Sequence, residues 1–154
     1  MLKLTRKADY GLIALKHLSG RRTASAKDIA DAYGLPLPLL SKLLQKLTRL
    51  GFLTSEQGTH GGYRLSRAAE RITALEVIQA IDGPIILTSC FTEHGQCEHT
   101  EKCSVREPLR KVHEGITRLL EGITIADLGC VQPDLSTLTG IAPAQQADMR
   151  RNLN

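Results

Sequence analysis

The stretch LPLPLLSKLLQKLTRLGFLTSEQGTHGGYRL, residues 35–65, decides how this chain is read. Leu40, Leu43, Leu44 and Leu47 recur at helical spacing, with Ser41, Lys42, Gln45, Lys46 and Arg49 on the polar side. Pro36 or Pro38 suits the first turn of that helix, where a missing N–H is no loss, and Gly51 closes it. Phe52-Leu53-Thr54 and Tyr63-Arg64-Leu65 then read as two short strands around a tip with three glycines, Gly58, Gly61 and Gly62. Upstream, Thr5 predicts a helix over 6–19 that carries Ala8, Leu12, Leu15 and Leu18 and ends at Gly20. Ser25 with Asp28 predicts a short second helix that runs to Tyr33 and stops at Gly34. Helix, helix, turn, helix and hairpin is the order of a winged helix-turn-helix.

Downstream, Thr73-Ala74-Leu75-Glu76 is a capping box that opens a helix ending at Asp82-Gly83-Pro84. Residues 88–103 form a polar segment with Cys90, Cys97, Cys103, His94 and His99. Ser104-Val105-Arg106-Glu107 is another capping box, unless the helix begins at Pro108. Val105, Leu109, Val112, Ile116, Leu119 and Ile123 are then spaced 4, 3, 4, 3, 4, a heptad seam that wants a partner helix. The fold class is therefore mainly α: a winged helix-turn-helix DNA-binding domain plus a long dimerisation helix. The units are a DNA-binding domain (1–72), a helix, cysteine segment and dimerisation helix (73–128), and a mobile tail (129–154).

Composition agrees. Hydrophobic residues make up 42% but aromatics only 3%, with no Trp, so the core rests on Leu, Ile, Val and Ala. No run of about 18 apolar residues exists, and no signal peptide is visible, which leaves no membrane partner and makes the cytoplasm the default compartment. Residues 1–71 hold 13 Lys+Arg against 5 Asp+Glu, and residues 72–154 hold 7 against 11. A basic front half joined to an acidic rear half suits a nucleic-acid binder with a separate sensing or pairing region. No nucleophile–base pair or phosphate loop is recognisable, so neither an enzyme nor a small-molecule substrate is expected.

Two sets of residues carry chemistry. Lys42 and Lys46 can reach guanine edges or phosphates and Gln45 can pair with adenine, with Ser41 beside them on a helix that fits the major groove. Arg49, Arg64, Lys3 and Arg6 are candidate phosphate contacts, with Lys7 and Arg67; His60 at the hairpin tip is a weaker groove reader. The second set is Cys90-x6-Cys97-x5-Cys103. Zinc sites show a tighter Cys-x2-4-Cys pair, whereas wide spacing lets a segment wrap something larger than one ion. An iron–sulfur cluster, [2Fe-2S] or [4Fe-4S], fits but needs four ligands. His94 or His99 can supply the fourth; His113, at an exposed helix position, His17 and Cys130 read as bystanders. Three unconnected thiols, a cluster-free thiol-redox or nitric-oxide-responsive regulator, and a small iron–sulfur electron carrier or cluster-transfer protein are the rival readings.

These residues resemble a known family. Leu4-Thr5-Arg6-Lys7-Ala8-Asp9-Tyr10-Gly11, Ser25-Ala26-Lys27-Asp28-Ile29-Ala30, the hairpin Gly58–Leu65 and the three-cysteine segment are similar to the IscR/NsrR iron–sulfur regulators, over roughly residues 1–128. Within that family the chain looks most like the regulators of SUF cluster-assembly operons. The resemblance implies a homodimer whose long helices cross at the two-fold axis, and a palindromic double-stranded DNA operator. It also implies a cluster on Cys90, Cys97 and Cys103, with repression of cluster-assembly genes. Ser41 matches a position that tunes operator choice. Gln57 stands where some members carry a groove-inserting arginine. Some members place a ligating histidine where this chain has Arg106, which cannot ligate. Others use an aspartate of the partner chain, which Asp9 matches.

Overall fold

A computed structural model describes residues 3–58, 61–88, 91 and 103–129. Five helices and one hairpin occur among them: α1 (Arg6–Ser19), α2 (Ala26–Tyr33), α3 (Leu37–Arg49), β1 (Leu53–Glu56), β2 (Gly62–Leu65), a 3-10 turn (Ala69–Arg71), α4 (Ala74–Asp82) and α5 (Arg106–Gly122). Local signals set most of the boundaries. Thr5 Oγ1 accepts the Ala8 N–H at 3.2 Å, satisfying one of the orphan donors at the start of α1. Ser25 and Asp28 cap α2 reciprocally, and Gly34 ends it at φ 63°, a conformation that favours glycine. Pro36 is the N-cap of α3, and its carbonyl accepts the Leu40 N–H at 3.0 Å.

Leu40, Leu43, Leu44 and Leu47 of α3 are buried against Ala14, Leu15 and Leu18 of α1 and Ile29 of α2. Each such side chain contributes roughly 2 kcal/mol of apolar burial. The same cluster continues into Ile72, Val77, Ile81 and Ile125, so the boundary drawn at residue 72 does not divide the core. Ile125 is fully buried, and its N–H donates to the Ile72 carbonyl at 2.8 Å.

β1 and β2 are antiparallel, pairing Leu53 with Leu65, Thr54 with Arg64, Ser55 with Tyr63 and Glu56 with Gly62. Both strands are longer than the sequence pattern predicts. Phe52 lies just before β1 and is buried in the core instead of pairing. Ala24 makes an isolated antiparallel bridge to Tyr63 on the other edge of β2.

Two expectations for α5 need correction. Ser104 does not cap it: the N-cap is Val105, already in helical geometry, with no side-chain hydrogen bond. Ile123 does not continue the heptad seam. The helix ends at Gly122, and Ile123 is extended, its carbonyl accepting the Ala74 N–H at 2.8 Å beside the Thr73–Thr124 bridge. Pairing with the start of α4 outcompetes one more helical residue.

The capping box of α4 makes a testable electrostatic unit. Glu76 accepts the Thr73 N–H at 3.0 Å and an Arg67 N–H at 3.0 Å. The Thr73 backbone bond, opposed by burial and helped by Arg67, holds the Glu76 carboxyl below its ordinary 4.5. A depressed folded-state value stabilises the protein above the unfolded pKa, and that stabilisation is lost as pH falls through the folded one. Glu76→Gln is therefore expected to lower stability at neutral pH by at most about 1 kcal/mol, the side chain being partly exposed. The difference should shrink as pH drops below 4.5, measured by urea unfolding across the acid range.

Candidate nucleic-acid interface and cysteine segment

The outward side of α3 is polar because its inward side is spent on the core. Lys42, Gln45 and Arg49 are exposed and follow one another at i, i+3 and i+7, which places them on one face. Ser41 is half-buried on one flank of that face. Lys46 is half-buried on the other flank, and its Nζ donates to the Ile81 carbonyl at 2.9 Å. Its ammonium thus satisfies a carbonyl near the end of α4, a role the sequence pattern did not reveal.

The hairpin stands beside α3. Gln45, Thr48 and Arg49 line a cleft of about 390 Å³ with Ser55 and Tyr63 of the wing. Arg64 is exposed, and its Nε lies 2.6 Å from Glu56 Oε1. His60 lies outside the described residues. Arg6 and Lys3 are exposed at the start of α1, and Lys3 lines the end of the molecule near α5 rather than the wing. His17 is half-buried, with Nδ1 3.3 Å from the Tyr33 hydroxyl. Burial and then the charge of Arg21 push its pKa down, against Asp28.

Of the candidate cluster ligands, Cys103 and Asp9 are described; Cys90, Cys97, His94 and His99 lie outside the described residues. Cys103 is a free, half-buried thiol separated from α5 by the turn Ser104–Val105. No side chain caps the helix there. Asp9 is exposed in the first turn of α1. Phe91, next in sequence to Cys90, packs its ring 5.4 Å from that of His113 on α5. His113 is thus half-buried rather than exposed, with Nδ1 covered and without a hydrogen-bond partner among the described residues. Both described ends of the cysteine segment therefore run to α5. Among the described residues no three His, Cys, Asp or Glu side chains converge on one point.

α5 itself has no fully buried residue. Leu109, Ile116 and Leu119 are half-buried, whereas Val105 and Val112 are 56% and 51% exposed. Ile116 and Leu119 also line an apolar cavity of about 590 Å³ with Leu4, Ile78, Ile85 and Ile86. An apolar seam of this length is costly to leave in water.

Residues 4–130 match the family described as Rrf2, iron-dependent transcriptional regulator. The chain belongs to the Rrf2 family. Its fold is the mainly helical winged helix of Rrf2 regulators, and it is a transcriptional regulator of the DNA-binding, winged-helix kind. Protein aau3 of Rhizobium meliloti (strain 1021) is 32% identical over 144 residues, 91% of this chain and 93% of that one. CymR (YrzC), the global cysteine regulator of B. subtilis, has 28% identity and a TM-score of 0.71, covering 86% of this chain and all of that one. The IscR of T. potens has 28% identity and a TM-score of 0.66, covering 82% and 85%. No helix among the described residues of this Rrf2 chain is long and apolar enough to cross a membrane.

Proposed function

We propose that this Rrf2 chain is a homodimeric repressor of iron–sulfur cluster-assembly genes of the SUF type, acting in the cytoplasm, whose operator affinity is set by a cluster on Cys90, Cys97 and Cys103. The observation that carries this reading is the free Cys103 thiol at the uncapped start of α5, the helix against which the Phe91 end of the segment also packs. The donor set suits an iron–sulfur group, which takes thiolates and accepts nitrogen or carboxylate at a remaining position. When bound, the cluster supplies an iron- and oxygen-responsive tie among its ligands. Asp9 from the partner chain, or His94 or His99, completes the set.

The chain's own residues connect that segment to the reading helix. Lys46 of α3 holds the Ile81 carbonyl, and Thr5 donates to Asp82 through its N–H at 3.2 Å and its hydroxyl at 2.6 Å. Gly83 and Pro84 follow at once and lead towards Cys90. The end of α4 is therefore a junction of α1, α3 and the cysteine segment, and displacing residues beyond Asp82 pulls on the carbonyl that anchors Lys46. A cluster shifts the operator equilibrium only by its difference in affinity for the two arrangements. The seam of Leu109, Val112, Ile116 and Leu119, with Val105 at its edge, would be covered by the same helix of a second chain.

Ser41, Lys42 and Gln45 would enter the major groove, with Arg49, Arg64 and Arg6 on flanking phosphates. The test is purification without oxygen, followed by visible absorption, iron and sulfide analysis, sedimentation, and binding to duplex from the gene's own upstream region. A coloured dimer whose duplex affinity changes on cluster removal is expected. A colourless, iron-free protein whose binding follows oxidant and reductant would make Cys103 a thiol switch instead. Equal affinity with and without the cluster would end the sensing claim.

A further inference from the structure

Successive strand residues point to opposite faces, so Ser55 and Tyr63 share one face of the wing, and Glu56 and Arg64 the other. The first face meets α3 across the cleft already described. The second face opens on a larger cleft of about 790 Å³ that the reading helix does not touch. Arg21 and Arg22 from the α1–α2 link, Arg64 from β2 and Arg67 beyond it line this cleft, together with Glu56 and Glu70.

The four guanidinium groups are not equivalent. Arg64 pairs with Glu56 through Nε, which leaves its Nη groups available. Arg67 is held by Glu76 at 3.0 Å and lies 5.6 Å from the centre of the Phe52 ring. Arg21 and Arg22 are exposed and make no ion pair among the described residues. Two oriented and two uncommitted guanidiniums around one concavity suit phosphate oxygens, which accept the paired N–H groups of arginine.

We propose that this cleft is a second phosphate-binding site, occupied by the DNA strand on the far side of the wing. The inference rests on the DNA-binding reading and adds a contact to it. The minor groove of B-DNA is about 6 Å wide, so a hairpin at its mouth has a phosphate strand on each face. Arg49 serves the strand on the α3 side. Arg21 and Arg22 serve the opposite one.

The test compares wild type with Arg21→Ala/Arg22→Ala on a random-sequence duplex three helical turns long, between about 0.05 and 0.2 M salt. Each phosphate contact contributes about 0.9 to the log–log salt slope, so the double variant should lose nearly 2 from that slope. Its affinity at low salt should fall about ten-fold or more. Arg21→Lys/Arg22→Lys should keep most of the slope. A double alanine variant with the wild-type slope overturns the proposal and leaves the arginines as a solvated surface. Calorimetry with inorganic pyrophosphate distinguishes the other source of phosphate. Binding that the double variant loses, with the duplex slope unchanged, would assign the cleft to a free ligand and overturn the DNA assignment. If the double variant unfolds, Arg22→Glu alone carries the same comparison. A wild type that binds no duplex would sink the regulator reading itself, whereas a steep wild-type slope retained by the variants removes only the cleft.

Discussion

Cys103→Ala, purified without oxygen, is expected to be colourless and free of iron and sulfide, with the duplex affinity of cluster-free wild type. In the proposed site three thiolates already leave one cluster position to a different donor, and removing one of the three leaves too few strong ligands to hold the group. The substitution should not unfold the protein. Cys103 is half-buried, lies outside the hydrophobic core and makes no disulfide among the described residues. The thermal midpoint of the cluster-free forms should therefore agree within about 3 °C. Absorption, iron analysis and a melting curve on the same sample decide it. A variant that stays coloured would remove Cys103 from the ligand set, and one that melts far lower would recast the residue as structural.

Gly62→Ala is expected to cost stability out of proportion to the single carbon it adds. A Cβ there would stand 2.5 Å from the Ala24 carbonyl oxygen, 2.7 Å from its carbon and 3.0 Å from the Ser25 nitrogen. All three are backbone atoms, so no side chain can rotate aside. Relief requires moving the wing off the start of α2. That breaks the two bonds joining Tyr63 and Ala24, 2.8 Å from the Tyr63 N–H and 3.1 Å from the Ala24 N–H. Overpacking and two lost hydrogen bonds together come to about 2–4 kcal/mol. The thermal midpoint should fall by roughly 5–12 °C, and duplex binding should weaken even below the transition because the wing has moved relative to α3. A midpoint within a degree or two of wild type would show that the wing does not hold α2 as the packing implies.

Much of this architecture is written in short-range patterns. Ser25 with Asp28, Thr73 with Glu76 and Gly34 mark helix ends because capping acts over three or four residues. The leucines of α3 mark its buried side because helical periodicity is local too. The same reasoning fails where a distant element competes. Ser104 carries a cap pattern, yet Val105 is the N-cap of α5. Ile123 has heptad spacing, yet it pairs with Ala74, 49 positions away in sequence. Lys46 has the spacing of a groove reader, yet its ammonium is held by a carbonyl 35 residues downstream. His113 looks exposed on a helical wheel, but Phe91 covers it.

The order of helices, the hairpin, the cap residues and the apolar seam followed from the chain alone, since each depends on neighbours within one or two turns. The destination of Lys46, the exit of Ile123, the cover over His113 and the meeting of Arg21 and Arg22 with Arg64 were decided only by tertiary packing. A residue's spacing says which side of its own element it occupies. What stands opposite that side is set by core burial that brings together segments far apart in sequence.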